Sequence, residues 1–357
     1  MLDAESVADA TQSSETPAPL LVRALRHQPV ERTPVWFMRQ AGRSLPEYRD
    51  LRAGKTLMET CLRPEEAAEV TLQPVRRHGV DAAILFSDIV TPLHAIGVGV
   101  EIKAGVGPVI DDPIRTQADL ARLRDFEPAA DMPELAETVR LVCAELGPQT
   151  PLIGFSGAPF TLASYLVEGG PSKQQSLTKA MMLGEPLLFR ALLERLAAIG
   201  VQSLRAQVEA GAQVVQVFDS WIGTLSRAQY REHILPVMTA MMAQLGELGV
   251  PRTIFGVGTG HLLDLLAETG ADCVGVDWRI DLRDARELVP GRCALQGNLD
   301  PAVLLAGDDV LRAETIRVLE SAPATGYVFN LGHGVLPQTP PEAPGAVVRI
   351  VKEHTSA

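Results

Sequence analysis

The stretch TPVWFMRQAGRSLPEYRDLR, residues 33–52, sets four arginines, Arg39, Arg43, Arg49 and Arg52, behind a short run of large apolar side chains. A guanidinium is planar, permanently charged and forked, so it takes carboxylates and phosphates through paired N–H bonds. Four in so little chain point to a ligand with several negative groups. The whole chain of 357 residues carries a formal net charge of −12, which argues against the broad basic face of a nucleic-acid or anionic-membrane binder. The anion site must therefore be local. Only five of the 32 basic residues are lysine, which suits bidentate recognition, although genome composition alone can produce such an excess.

Other chemistries lack their residues. No lysine follows a strand-like run, which disfavours a Schiff base to substrate or to pyridoxal phosphate. No H-x-H, H-E-x-x-H or H-x-C pattern supports a catalytic metal, and no G-x-S-x-G elbow supports Ser-His-Asp hydrolysis. The stretch GVGTGH, residues 256–261, would suit a phosphate cradle or, more simply, a tight turn. The four cysteines, Cys61, Cys143, Cys273 and Cys293, share no C-x-x-C spacing. They read as buried reduced thiols of a cytoplasmic protein. Residues 1–19 are polar and acidic, without the basic start and apolar core of a signal peptide, and read as a disordered leader. No run of about 18 apolar residues suggests a membrane span.

The elements that must position such residues form a regular series. Eight β-rich runs recur, at 34–38, 81–86, 151–157, 213–219, 252–257, 272–277, 292–297 and 326–332. Helical patterns fill the intervals, among them 63–79, 186–211 and 226–249. Alternation of this kind favours parallel strands with right-handed crossovers, and eight repeats predict an α/β fold of the (β/α)8 barrel type, a single domain over residues 20–357. One excursion, residues 97–135, breaks the rhythm and reads as a hairpin followed by a lid or packing segment.

Active sites of such barrels lie at the C-terminal ends of the strands. Taken in order, those ends deliver Arg39 and Arg43; Ser87 and Asp88; Ser156 and Tyr165; Asp219 and Ser220; Gly258, Gly260 and His261; Asp277 and Trp278; Asn298 and Asp300; Asn330 and His333. Any one of these polar residues has a plain alternative as a helix cap. Their recurrence around the ring carries the argument.

The stretches PVWFMRQAGRSLPEYR and GFSGAPFTLASYLVEGG, with TLQPVRRHGVDAAILFSDI, VVQVFDSWIG, LQGNLDP and NLGHGVLP, resemble the uroporphyrinogen decarboxylase family in order and spacing, from Pro29 to the C-terminus. The resemblance implies a barrel that acts as a cytoplasmic homodimer, without metal or organic cofactor, on uroporphyrinogen III. It places substrate-binding arginines at Arg39 and Arg43, a third arginine proposed for catalysis at Arg52, and the central aspartate at Asp88. Tyr165, Ser220 and His333 match the family's tyrosine, serine and histidine. Catalytic roles thus fall to Asp88, Arg39, Arg52 and Tyr165, and substrate contacts to Arg39, Arg43, Asp88, Tyr165, Ser220 and His333. A lysine common in the family is absent from the segment FGVGTGH. Two rival readings are a zinc-dependent methyltransferase of related fold, which needs a His-x-Cys pair at strand ends, and a tetrapyrrole carrier without activity.

Overall fold

Strands buried on both faces should be rich in apolar residues: Val214–Asp219 and Tyr327–Leu331 are buried nearly throughout and mostly apolar, with Gln216, Asp219 and Asn330 as buried polar exceptions. The structure, a computed structural model, describes residues 17–42, 44–103 and 105–356. The leader expected at 1–19 therefore lies almost wholly outside the described residues, and Arg43 lies outside them too.

The described residues form nine strands: β1 Ala83–Ile84, β2 Val100–Lys103, β3 Gly107–Ile110, β4 Leu152–Gly157, β5 Val214–Asp219, β6 Arg252–Gly256, β7 Cys273–Gly275, β8 Ala294–Leu299 and β9 Tyr327–Leu331. Seven of them pair in parallel in the order β1-β4-β5-β6-β7-β8-β9, with helices between. The pair β2-β3 is the antiparallel hairpin expected in the excursion. That excursion packs on the barrel mouth: the Ile110 amide donates to Gly169 O at 3.0 Å and the Ile114 amide to Leu166 O at 2.9 Å, along the helix Pro159–Glu168.

The first expected strand, at 34–38, is not a strand. It pairs only at Val35, bridging in parallel to Phe329 of β9. The Phe329 amide donates to Pro34 O at 2.9 Å, and on the other side the Asp81 amide donates to Val35 O at 2.8 Å. The ring of staves thus closes through a single residue. Two causes are visible. Pro34 has no N–H to give a ladder, and the Val35 amide is taken by the Asp81 carboxylate at 2.9 Å. The same carboxylate accepts both Arg32 terminal nitrogens, at 2.7 and 2.6 Å. A side-chain clamp here does what a ladder does elsewhere.

The helical pattern at 226–249 also departs from one regular helix. It forms a short turn at Arg227–Gln229, a π-helical stretch at Tyr230–Ile234 and an α-helix at Leu235–Gly246. Pro236 lacks the N–H that would bond four residues back, and the bonding pattern widens just before it. Inside the barrel the fully buried Trp36 donates its indole N–H to Gln296 at 3.0 Å, and Gln296 donates to Gln216 at 3.1 Å. This polar chain ties the closing stave to β8 and β5.

The Asp81 clamp can be tested directly. Arg32→Ala leaves a buried carboxylate with only the Val35 amide, and should cost about 2 kcal/mol of stability. A chemical-denaturation midpoint unchanged from wild type would show that closure does not depend on the clamp.

Candidate active site

Arg39 ends the closing stave in the left-handed region, with φ of 57°, a conformation costing a non-glycine residue about 1–2 kcal/mol. Its neighbours hold it there. The Met38 amide donates to Asn330 Oδ1 at 3.1 Å, and the Val335 amide donates to Met38 O at 2.9 Å. Gln40 accepts the Phe37 amide at 3.0 Å and donates to Ala82 O at 3.0 Å. The stem of Arg39 runs across Gly334, where an added Cβ would lie 2.4 Å from Arg39 Cδ and 2.7 Å from Cγ. Only glycine leaves room for the stem in this path.

Asp88 follows β1. Its carboxylate accepts the Val90 amide at 3.1 Å, with the Ile89 amide also favouring its charge. The cap-like geometry expected of an ordinary aspartate is thus present, but it does not use up the group. Asp88 has no direct ion pair among the described residues, and its side chain is half-buried rather than sealed.

Arg39, Asp88 and Tyr165 lie within electrostatic reach of one another. Burial pushes the Asp88 carboxyl up, against the Val90 amide, Arg39 and the Ile89 amide. Burial likewise pulls Arg39 down, while Asp88 and Tyr165 support its charge. The Tyr165 phenol is pushed up by burial, with Trp221 opposing and Asp88 adding to the rise. Arg39 is nevertheless exposed by accessible area. Both facts describe one geometry, a cleft open to solvent whose walls displace much of the water around the charges. Such a place strengthens electrostatic contacts with a ligand that fills it.

Arg52 approaches from a different side. Its Nη1 donates to Tyr48 OH at 2.6 Å, and its Nε is buried with no protein partner. Glu47, one plausible surface partner, pairs instead with Arg77 at 3.2 Å. Tyr48 packs edge-on against Phe86, centroids 5.7 Å apart, two residues before Asp88. The buried thiol of Cys61 belongs to the same apolar cluster as Tyr48 and Phe86, and it is pushed up first by burial and then by Asp88, with Arg52 opposing. Arg52 therefore shares the surroundings of Asp88 but not its hydrogen bonds.

His333 follows β9, beside the Gly334 that underlies Arg39, and Ser220 follows β5. His333 Nδ1 accepts the Gly334 amide at 2.7 Å, which leaves the ring proton on Nε2 as a donor. The His333 ring meets Trp278 edge-on at 6.2 Å, and the Arg279 guanidinium lies 3.9 Å over the same indole. Arg279 was not anticipated from the sequence; its only signal was a basic residue directly after the strand-end pair Asp277-Trp278. Ser220 sits half-buried in the turn after β5.

Several strand-end residues serve structure instead. Asp300 caps the turn at Pro301–Leu305 through the Ala302 amide at 2.9 Å. Asn298 donates to Asp277 O and Ile280 O, and Asp277 accepts the Gly258 amide together with Arg279. Because that amide is spent and Gly258 has φ of 71°, the GVGTGH stretch is a turn and not a phosphate cradle. All four cysteines are free. Cys143 is half-buried rather than buried, since it ends a surface helix with Sγ toward Gly211 O at 3.5 Å. A cavity of about 370 Å³ opens at the other end of the strands, beside Arg26, Arg252 and Asp272. Its Arg252 and Asp272 pair with each other at 2.8 Å.

Asp219 is wholly buried and its carboxyl is pushed up to about 7, first by burial, with Thr161 opposing. The folded state therefore holds a proton that the unfolded chain releases near its ordinary 3.8. The stability this contributes is full at low pH and falls as pH rises toward 7, by roughly 1.4 kcal/mol per unit. An Asp219→Asn variant lacks that loss, so its melting temperature should gain on wild type between pH 5 and 7 and then run level. A constant gap would show that Asp219 does not titrate in this window.

A model of the family described as uroporphyrinogen decarboxylase matches residues 16–354. The uroporphyrinogen decarboxylase of Streptomyces coelicolor is 58% identical over 337 residues, covering 94% of each chain. That of Thermobifida fusca is 56% identical over 336 residues, covering 94% of this chain and 92% of its own. Among solved structures, a methyltransferase from Methanosarcina mazei superposes with a TM-score of 0.78 at 20% identity, over 95% of this chain and 99% of that one. At such identity the likeness concerns the fold.

Proposed function

The chain belongs to the uroporphyrinogen decarboxylase family, and from that premise we propose how its site carries out the reaction. The substrate is a cyclic tetrapyrrole bearing four acetates and four propionates, and the product is the tetramethyl coproporphyrinogen. The protein is a carboxy-lyase of tetrapyrrole biosynthesis. The observation that carries the assignment of roles is the Asp88 carboxylate, without an ion pair among the described residues, in a cleft bordered by Arg39 and Tyr165.

Each turnover releases CO2 and takes up one proton net. A proton added to the pyrrole carbon next to the acetate-bearing carbon makes the ring cationic. The C–C bond to the carboxylate then breaks, its electron pair enters the ring and CO2 leaves. A second proton converts the exocyclic methylene to methyl, and loss of the first restores the aromatic ring. Asp88 accepts hydrogen bonds from the pyrrole N–H groups and stabilises the cation where it develops. Arg39 and Arg43 bind substrate carboxylates, and Arg39, next to Asp88, orients the reacting acetate. Arg52 and Tyr165 complete the catalytic group. A guanidinium pKa is ordinarily above about 12, and burial pulls that of Arg39 down, which favours Arg39 as a proton donor. Ser220 and His333 contact the periphery of the macrocycle, His333 through Nε2–H to a propionate.

The isomer acted on is uroporphyrinogen III. The protein works in the cytoplasm, in keeping with the absence, among the described residues, of any helix long and apolar enough to cross a membrane. It acts as a homodimer, which the outward-facing Leu183 and Leu187 favour, at 60% and 82% exposure.

Anaerobic incubation of the purified protein with uroporphyrinogen III, followed by oxidation and separation by carboxylate number, tests the reading. Loss from eight carboxylates to four supports it; an unchanged octacarboxylate with folded protein contradicts it. Asp88→Asn should lower kcat by about 100-fold or more, and near-normal turnover would remove Asp88 from the centre of the mechanism. Gly334→Ala, which displaces the Arg39 stem, should lower kcat/KM about 100-fold with little change in melting temperature. Unaltered kinetics would show that the path of Arg39 is not critical.

A further inference from the structure

Asp219 and Thr161 make no contact with the ligand groups named above, yet they are linked to Tyr165 by an unbroken chain of contacts. Thr161 Oγ1 donates to Asp219 Oδ1 at 2.7 Å, both residues being fully buried. The Thr161 hydroxyl in turn accepts the Trp221 backbone amide at 3.3 Å. The Trp221 ring meets the Tyr165 ring edge-on, centroids 6.1 Å apart at 69°. Thr161 and Tyr165 lie one turn apart on the helix Pro159–Glu168, so they share a face. The chain therefore leaves the end of β5, crosses the first turn of that helix, returns to the loop after β5 and ends on the phenol.

An ordinary packing role does not account for the residue types. Asp219 Oδ2 is buried with no hydrogen-bond partner among the described residues, and so is the Tyr230 hydroxyl whose environment it shares. A buried carboxyl group with so few partners is costly, protonated or not. An apolar residue would fill the position without that cost, but it would give Thr161 no acceptor. With its proton committed to Asp219, the Thr161 oxygen can only accept, and it does so from Trp221.

We infer that Asp219 and Thr161 form a positioning relay that seats Trp221 against Tyr165 and thereby fixes the Tyr165 hydroxyl beside Asp88 and Arg39. The inference rests on the decarboxylase reading for its catalytic consequence, though not for its structural one. Thr161→Val removes the hydroxyl at nearly constant volume, and Thr161→Ser keeps it. In the wild-type background the Val variant should lose about tenfold in kcat, and the Ser variant should stay close to wild type. In a Tyr165→Phe background, Thr161→Val should add less than about a twofold loss, because the group it positions is gone.

Equal losses in both backgrounds, or a Ser variant as impaired as the Val variant, would overturn the relay. If Thr161→Val folds poorly, Trp221→Phe replaces it in the same cycle with the same expectation. A second readout needs no turnover. Emission from Trp221, taken as the difference between each protein and its Trp221→Phe counterpart, should shift in the Val variant and not in the Ser variant. An unshifted emission contradicts the relay even in a protein that proves inactive, whereas inactivity of the unaltered chain counts only against the decarboxylase reading.

Discussion

In the proposed mechanism Asp88 acts as an anion in a cleft whose walls oppose charge, and much of the surrounding structure bears on that conflict. Burial alone would favour the neutral acid. The Val90 and Ile89 amides and the neighbouring Arg39 act in the other direction. None of these is a direct ion pair, which would spend the carboxylate on a permanent partner. The arrangement instead leaves its hydrogen-bonding capacity to a ligand. Arg39 can play its part only from a left-handed backbone, over a glycine, between anchors from β9 and Gln40.

Those anchors explain why the barrel closes as it does. A full strand at 34–38 would carry the chain straight past the cleft. One bridging residue, fixed by the Asp81 clamp, lets the backbone turn immediately and deliver Arg39 over the strand ends. The polar chain from Trp36 through Gln296 to Gln216 holds the same stave from within. Closure of the fold and placement of the arginine are thus one feature. On the opposite wall, the helix Pro159–Glu168 carries both Thr161 and Tyr165, and the docked excursion packs along that helix.

Much of this was legible in the sequence where a pattern repeats. Seven of the eight expected strand runs are strands, because alternating apolar runs and helical periodicity report burial directly. The eighth failed because Pro34 and the Asp81 carboxylate redirect backbone bonding, and no periodicity encodes a partner 46 residues away. Asp88, Arg39 and Tyr165 were proposed for the site through motif resemblance and position after strands, and the structure brings the three within electrostatic reach of one another. Gly334 was not, since its meaning lies in the path of another residue's side chain. Thr161 read as an ordinary helical residue for the same reason. Arg52 could have been a surface arginine on sequence grounds, and only the Glu47–Arg77 pairing removes its most obvious partner.

The central claim is that the macrocycle is centred on the Asp88 carboxylate. A crystal structure with the product coproporphyrinogen bound under reducing conditions tests it most directly. The account predicts pyrrole nitrogens converging on the Asp88 oxygens within about 3.2 Å, with Arg39 on a peripheral carboxylate. A macrocycle bound with its nitrogens turned away from Asp88, or seated at the other end of the barrel, would contradict it.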